Sequence, residues 1–435
     1  MKSYEVEYND YYMRGRALLS AKKYMEAEKC FRVAIEKKPT GVEAYMALVH
    51  MFVTLKQYDK AKENIKKILV IDDKNGEAYF HLGNIAYFQK DAVSARNYYS
   101  KALSYGCDNV VAQYCLAMSN LETGDIINAK FYLNQIIQNQ ADHPKARIKL
   151  IEIAAMEKKY DEMLAQADEL ILNRPDAFEG YHYKFMALMS QDNIDAAGHT
   201  ITHALKLFPG DYGFAMDLII YYIKTEKYEE ALEFIENRFV DNDKAKEIVM
   251  PQKAKILFKM TRFDEAKEIF DTIKKENLDA ESYYIMMMIE LSKKCFDKAL
   301  NHCEILIKDY NNNEYVCAAM CYKAVCLKGM SKLEEAKVAL NVANQKIKEE
   351  SIKQPGNISL FLYRVMCEAE LENYDEAFKL VEYITDLTGG NIGEIYLARG
   401  ILYNKLQEFE KAKQDFDKAK SLNGALSNII KEIFG

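Results

Sequence analysis

Two histidines, His199 and His203, could bind a metal ion together because one helical turn separates them. That spacing places both imidazoles on one face of a helix, as in zinc sites that are built on a helix. The glutamate of a His-Glu-x-x-His motif is missing, and no third ligand follows at a suitable spacing. We therefore interpret the pair as exposed histidines and predict no metal site.

The nine cysteines could supply a second kind of chemistry, since thiolates bind metals and react with oxidants. Cys317 and Cys321 share one helix face, and Cys326 stands close to them in the chain. The count is odd and no Cys-x-x-Cys spacing occurs, which favours reduced thiols in a cytoplasmic protein. We interpret these three as small buried hydrophobic residues, and a redox or metal role is the alternative.

Motifs of the common enzyme classes are absent from the sequence. No Gly-x-x-x-x-Gly-Lys-Ser/Thr or Gly-x-Gly-x-x-Gly stretch could hold a phosphate, and no Gly-x-Ser-x-Gly turn could present a nucleophile. Pairs of acidic residues are common, but their spacing fits solvated helix faces. The sequence therefore predicts a protein without catalytic residues and without a cofactor.

Charge and hydropathy argue against two classes of partner. The net charge is −7, whereas a nucleic-acid-binding protein usually presents a basic face. The most apolar stretch, residues 283–289, is far shorter than the ~20 residues that a membrane-spanning helix needs. No apolar run follows Met1, so no secretory signal is visible. We expect a cytoplasmic protein that binds neither nucleic acid nor the membrane interior.

The elements that position all these side chains follow a repeat of 34 residues. An alanine returns at that spacing, and Pro39, Pro175 and Pro209 keep the same period. Such a period is typical of stacked helix pairs and differs from the pattern of one closed core. The series consists of Ala27, Ala61, Ala95, Ala129, Ala197 and Ala231, with Met163 in the fifth position.

Each alanine belongs to a local pattern of two helices. An aromatic residue and an acid precede it, as in Tyr24-Met-Glu-Ala27, and a second apolar residue follows four positions later. About sixteen residues earlier a partner helix begins, as in Tyr396-x-x-Arg399-Gly400, where the glycine indicates a close helix crossing. Together these motifs resemble the tetratricopeptide repeat family. The resemblance covers nearly the whole chain.

The resemblance implies an all-α fold: a right-handed superhelical solenoid of about twelve tetratricopeptide helix-turn-helix repeats with a C-terminal capping helix at 425–434. Leu426, Ile429, Ile430 and Ile433 would form the apolar stripe of that helix. The solenoid is expected to span residues 8–424. Its repeats are expected at 8–41, 42–75, 76–109, 110–143, 144–177, 178–211, 212–245, 247–279, 280–315, 317–356, 358–391 and 393–424.

Three departures from the period predict irregular joints. Pro251 falls where the first helix of repeat 8 should already run, so we expect that helix to start late, after a loop at 241–250. The interval of 41 residues between Ala336 and Ala377 predicts a lengthened second helix in repeat 10, ended by Pro355-Gly356. Gly389-Gly390 predicts another break before repeat 12.

The resemblance also implies that the first helix of each pair lines a concave groove. The residues expected to face inward are mostly apolar and rich in methionine, whose flexible side chain suits irregular partners. A long apolar surface is rarely left open to water without a function. These residues are Tyr12, Arg16, Met46, His50, Phe80, Asn84, Tyr114, Met118, Ile148, Glu152, His182, Met186, Met216 and Ile220.

The predicted function is a non-catalytic scaffold or adaptor whose groove binds an extended peptide or an amphipathic helix of another protein. In one alternative, the groove residues pack against their own neighbours or are covered in a homodimer. A regulator that senses a peptide and changes its superhelical pitch is the second alternative. Tyr12 and Arg16 stand where relatives that bind chaperone tails carry lysine and asparagine, so that ligand is not expected.

Overall fold

The structure, a computed structural model, describes residues 3–107, 109–239, 243–424 and 426. Over these residues all regular elements are helical, and none of the helices is long and apolar enough to cross a membrane. The chain divides into two compact units, residues 1–221 and 222–435. The predicted all-α architecture is therefore confirmed.

Thirteen helices belong wholly or mainly to the first unit. In each successive pair the odd-numbered helix is the first helix of a repeat and the even-numbered helix is the second. They are α1 (Ser3–Ser20), α2 (Tyr24–Lys37), α3 (Val42–Thr54), α4 (Tyr58–Ile71), α5 (Gly76–Phe88), α6 (Ala92–Ser104), α7 (Val110–Glu122), α8 (Ile126–Asn139), α9 (Pro144–Met156), α10 (Tyr160–Asn173), α11 (Phe178–Ser190), α12 (Ile194–Leu207) and α13 (Tyr212–Lys224).

The second unit continues the alternation with eleven α-helices and one short 3₁₀ turn at Lys275–Asn277. The helices are α14 (Tyr228–Arg238), α15 (Asp243–Lys259), α16 (Phe263–Thr272), α17 (Ala280–Ser292), α18 (Phe296–Asp309), α19 (Tyr315–Gly329), α20 (Leu333–Lys353), α21 (Ile358–Glu370), α22 (Tyr374–Thr388), α23 (Gly393–Lys405) and α24 (Phe409–Leu422).

The second helices form because their apolar residues follow the helical period. In α4, Ala61, Ile65 and Ile68 recur at intervals of four and three residues, and all three are fully buried. The alanine of each period is buried throughout the described repeats, and Met163, which replaces it once, is only 2% exposed. A small side chain at this position lets the two helices of a pair approach closely.

The glycine in the first helix marks a close approach, as the sequence indicates. A Cβ atom on Gly400 would lie 2.5 Å from Cε1 of Phe416 on the partner helix. No real Cβ tolerates that distance, so a larger residue would push α23 and α24 apart. The predicted close crossing is therefore confirmed here.

The turn inside each pair is equally regular. In eleven pairs a residue other than glycine adopts a positive φ at this turn, and Gly124, with φ of 79°, holds the corresponding place in the remaining pair. This left-handed residue reverses the chain within a few residues, so the two helices pack antiparallel. The eleven are Lys22, Lys56, Lys90, Lys158, Asp192, Glu226, Thr261, Lys294, Ser331, Glu372 and Gln407.

Two of the three irregular joints match the prediction. Helix α20 is lengthened to 21 residues and ends at Lys353, directly before the Pro355-Gly356 turn. Helix α22 ends at Thr388, and both glycines that follow adopt a positive φ, of 62° at Gly389 and 68° at Gly390. The sequence breaks therefore coincide with real helix ends.

The predicted late start at repeat 8 is wrong. Helix α15 already runs from Asp243, and Pro251 lies inside it. Proline cannot donate the hydrogen bond that the carbonyl of Glu247 would otherwise accept. Glu247 is exposed, so water can reach the first half of this helix and can satisfy that carbonyl. Proline is thus tolerated here in the helix interior.

The predicted capping helix lies largely outside the described residues, Ile429, Ile430 and Ile433 among them. Leu426 is described, and it is 6% exposed. Its side chain belongs to the apolar cluster that contains Ala412, Phe416 and Ala419 of α24. This one contact agrees with the covering role that the sequence predicts for the stripe.

Candidate functional site

Many first helices contact the first helix of the next repeat side by side. In the first unit α3 contacts both α1 and α5, and α9 contacts α11; in the second unit the same holds from α15 through α23. No comparably close pair joins two second helices within the described residues. First helices therefore lie closer together than second helices do, as on the inside of a curved stack. We call this side the inner face.

Four of the groove residues that the sequence predicts are exposed in the first unit. Met186 and Ile220 keep 42% and 46% of their surface, although both side chains are large and apolar. Arg16 and His50 are also exposed, and the Arg16 guanidinium lies over the Tyr12 ring at 5.9 Å. These residues offer contact area to a partner.

Most of the other predicted groove residues are half-buried between neighbouring helices. Met118 packs against the apolar cluster around Leu133 and Leu150, and Ile148 packs against the cluster around Ile151. Their packing reduces the apolar area that the sequence analysis attributes to the groove. The half-buried set consists of Tyr12, Phe80, Asn84, Tyr114, Met118, Ile148, Glu152, His182 and Met216.

Met46 lies in the core, contrary to its assignment to the groove. It is only 6% exposed and belongs to the cluster that contains Phe31, Leu48 and Phe52. Because the first helices are apolar around most of their circumference, sequence pattern alone does not separate the core side from the inner side. Met46 is therefore not carried into the proposals below.

Polar contacts join successive first helices along the inner face. The Tyr8 hydroxyl donates to Oε2 of Glu43 at 2.8 Å, and the Tyr183 hydroxyl donates to Oε1 of Glu152 at 3.4 Å. Burial raises the pKa of Tyr8, so that hydroxyl keeps its proton. The inner face is consequently more polar than its apolar residues indicate.

The contact between His182 on α11 and Asp217 on α13 is shorter than these two hydrogen bonds. Nδ1 of His182 lies 2.6 Å from Oδ2 of Asp217, and the aspartate is 4% exposed. The hydrogen bond to Asp217 raises the pKa of His182, although partial burial opposes the shift. The hydrogen bond thus gives a partner to a carboxylate that has lost most of its water.

His50 belongs to a cluster that the sequence analysis missed. It lies beside Glu77 and His81 of the next first helix, and these three form the only group of potential metal ligands found among the described residues. His81 was overlooked because it precedes the assigned inward position, Asn84, by three residues. The i, i+4 spacing of Glu77 and His81 is the signal that could have indicated them.

The histidines and cysteines that opened the sequence analysis have the exposure and burial predicted for them. His199 and His203 are both exposed on α12. Cys317, Cys321 and Cys326 are all buried. The contact with Cys367, whose sulfur lies 3.3 Å away, raises the pKa of the Cys321 thiol, and burial adds to the shift. The Cys321 thiol therefore keeps its proton, which makes it a poor nucleophile and a poor metal ligand.

Comparison with known proteins gives matches at both ends of the chain. The family model described as Tetratricopeptide repeat matches residues 12–63, and a second model with the same description matches residues 393–425. The first match covers α2, α3 and part of α1 and α4, and the second covers α23 and α24. The first match therefore spans parts of two helix pairs, and the second match falls on one pair.

Two relatives and one solved structure illustrate the similarity. A TPR repeat-containing protein of Methanocaldococcus jannaschii is 22% identical over 97% of this chain and 70% of its own length. The protein O-mannosyl-transferase Tmtc3 of Drosophila melanogaster is 25% identical, over 38% of this chain and only 18% of its own length. The P58(IPK) TPR domain is 14% identical, covers 97% of this chain and 99% of its own, and has a TM-score of 0.31.

Tetratricopeptide repeat proteins generally mediate protein–protein interactions, and the fold is typically a non-catalytic scaffold. The matched segments carry the same helix pair and buried alanine that recur between them. On this evidence the chain carries tetratricopeptide repeats at residues 12–63 and 393–425, and it is similar over nearly its whole length to a protein that contains such repeats.

Proposed function

We propose that the chain is a non-catalytic scaffold whose inner face, in residues 1–221, binds a segment of another protein. One observation supports the proposal: Met186 and Ile220, two large apolar side chains on successive first helices, stay exposed. Each lies about one helical turn from His182 and Asp217, through which these two helices touch. When a partner covers these two side chains, the complex is stabilised by about 25 cal/mol per Å² of apolar area that is removed from water.

The spacing of the two helices indicates which segments would fit. Helices α11 and α13 touch through His182 and Asp217, and packed helix axes lie about 8–10 Å apart. Apolar side chains recur about every 9 Å at i, i+3 of an extended polyproline-type segment. They recur about every 10 Å at i, i+7 of an α-helix. Either kind of segment could place one apolar side chain against each first helix.

Polar groups on the same face supply the second requirement of peptide binding. Arg16 and His50 are exposed, and Glu152 is half-buried with one carboxylate oxygen near Tyr183. An extended segment brings unpaired backbone N–H and C=O groups that must find hydrogen-bond partners when water is displaced. Donors and acceptors beside apolar anchors meet that need.

A charge substitution on the inner face tests the proposal. A binding peptide is first selected with the unmodified protein from a random peptide library, and its affinity is measured by fluorescence anisotropy. The double variant Met186→Glu with Ile220→Glu is expected to lose at least about tenfold in affinity, because apolar anchors often dominate such interfaces. Far-ultraviolet circular dichroism should stay unchanged, since both side chains are exposed.

The matched control changes two equally apolar residues on second helices. Ile127 on α8 and Leu172 on α10 are 83% and 74% exposed, and their replacement by glutamate adds the same charge. This control should bind the peptide like the unmodified protein. Equal losses in both double variants, or no loss in the first, would refute binding at the inner face. A homodimer that only the first variant disrupts would mean that a second copy occupies the face.

Small-angle scattering separates a scaffold from a sensor that changes its pitch. A scaffold should keep the same radius of gyration when the selected peptide saturates it. A clear change on peptide addition would favour the regulatory alternative, since an elongated repeat array amplifies small rotations between repeats.

A further inference from the structure

We propose that His50, Glu77 and His81 form a binding site for a divalent transition-metal ion, with zinc as the best match. The site lies on the inner face, between the first helices of repeats 2 and 3. It shares only His50 with the peptide-binding proposal, whose apolar anchors Met186 and Ile220 are not metal ligands.

Two helices bring the three side chains together. Glu77 and His81 are four residues apart on α5, so they share one face of that helix. His50 lies near the end of α3, which contacts α5 directly. The imidazole rings of His50 and His81 meet edge to face, with their centroids 4.3 Å apart. Both ligand-bearing segments are regular helix, which positions ligands more rigidly than a loop.

The distances between the donor atoms fit one shared ion. Nε2 of His50 lies 3.2 Å from Nε2 of His81 and 3.3 Å from Oε1 of Glu77. The donor atoms of all three residues lie within 4.8 Å of one another. Ligand atoms that surround zinc tetrahedrally at about 2.0–2.1 Å are separated by about 3.3 Å. The two measured edges therefore match a coordination sphere with little rearrangement.

Hydrogen bonding alone serves this arrangement poorly. Nε2 of His50 has two close partners, His81 and Glu77. A protonated Nε2 has a single hydrogen for two acceptors, the carboxylate and an unprotonated Nε2 of His81, so it can bond to both only by sharing that hydrogen. An unprotonated Nε2 can accept from His81 but then faces a carboxylate oxygen that is also an acceptor. A cation among the three atoms would satisfy all three lone pairs at once.

The second ring nitrogen of His81 also suits a metal ion. Nδ1 of His81 has no partner among the described residues, so it is free to carry the ring proton and leave Nε2 to a metal.

Access and ligand type favour zinc-like ions. The side chains of His50 and Glu77 are 52% and 55% exposed, so an ion can reach the buried His81 from solvent. Two imidazoles and one carboxylate suit zinc and its transition-metal neighbours better than calcium or magnesium, which prefer oxygen ligands alone. Three protein ligands leave a fourth position open to water or to a side chain of a partner.

Metal titration of the full chain provides the test. Calorimetry with Zn²⁺ should show one site per chain, and Co²⁺ should give the visible spectrum of a low-symmetry site without thiolate-to-cobalt charge-transfer bands. Glu77→Gln and His50→Gln should each weaken binding at least about tenfold, since even residues that only support a ligand contribute 10–100-fold. Both side chains are exposed, so neither change should unfold the protein.

A matched control uses the exposed histidine pair on α12. His199→Gln with His203→Gln removes two imidazoles far from the cluster in sequence and should leave both the affinity and the cobalt spectrum unchanged. Zn²⁺ should raise Tm of the unmodified protein and of this control but not of Glu77→Gln. Thiolate bands in the cobalt spectrum, or equal Zn²⁺ affinity in Glu77→Gln, His50→Gln and the unmodified protein, would overturn the proposal.

Discussion

His182 shows how a single residue can combine a structural and a binding role on the inner face. Its imidazole is 40% exposed, while its partner Asp217 is buried and keeps only 6% of its side-chain surface. The ion pair therefore joins α11 to α13 and at the same time presents one ring edge to solvent. A partner bound across Met186 and Ile220 would contact helices whose spacing this pair helps to set.

The stability of the chain should depend on pH through His182. Asp217, and more weakly Asp211, raise the pKa of the folded-state imidazole above the unfolded value of about 6.5. The stabilisation is therefore complete below about pH 6.5 and is lost as the pH rises through the higher folded-state pKa. We expect a loss of at most about 1 kcal/mol, because solvent screens a side chain that is 40% exposed.

Urea unfolding between about pH 5 and about pH 9 measures this dependence. The variant His182→Gln, which keeps a side-chain donor for Asp217 but cannot titrate, is the control. The difference in unfolding free energy between the two proteins should shrink as the pH rises. A difference that stays constant over this range would show that the ion pair does not contribute in the folded state.

The turn within each helix pair is the structural element that recurs most regularly. Eleven of these turns place a residue with a side chain in the left-handed region, where glycine is normally favoured, and only Gly124 avoids that strain. Lysine occupies this position in five of the eleven, Lys22, Lys56, Lys90, Lys158 and Lys294. The chain thus accepts a small conformational cost at nearly every repeat.

Removing glycine from one of these turns and introducing glycine at another should change the stability of the protein in opposite directions. Nothing lies within 4 Å of a Cβ built on Gly124, so Gly124→Ala introduces only backbone strain and should destabilise the protein by about 1 kcal/mol. Lys158→Gly removes the same strain at an equivalent turn, with φ of 56°, and should stabilise it by about 0.5–1 kcal/mol, less the entropy that glycine adds to the unfolded chain. Thermal unfolding of both variants measures the effect, and a shift of the same sign in both would contradict it.

At the scale of the whole molecule, contacts within each unit run mainly between neighbouring helices. Within each unit most helices pack on their pair partner and on a neighbouring repeat, so the stability of a repeat depends on itself and on its neighbours. The two compact units, residues 1–221 and 222–435, each contain several such repeats. A local defect should therefore have local consequences.

Hydrogen exchange of Gly400→Ala tests this expectation. The added Cβ would meet Phe416 at 2.5 Å and separate α23 from α24, at a cost of about 1–3 kcal/mol. Amide protection should fall in these two helices and in the adjacent α22, while α3 and α5 keep their protection. A uniform loss of protection along the chain would show that the protein unfolds as one cooperative body instead.

The linear sequence determined the helix pairs, the buried alanines and the tetratricopeptide character, because these features depend on residues only three to thirty-four positions apart. It could not determine which residues of the first helices stay exposed, since those helices are apolar on several sides. Met46 and Met186 were both assigned to the groove, yet one is 6% and the other 42% exposed. Likewise, His50 and His81 meet only because α3 and α5 pack side by side. Packing between repeats decides exposure and juxtaposition, and no periodicity within a repeat encodes the distance between two side chains on different helices.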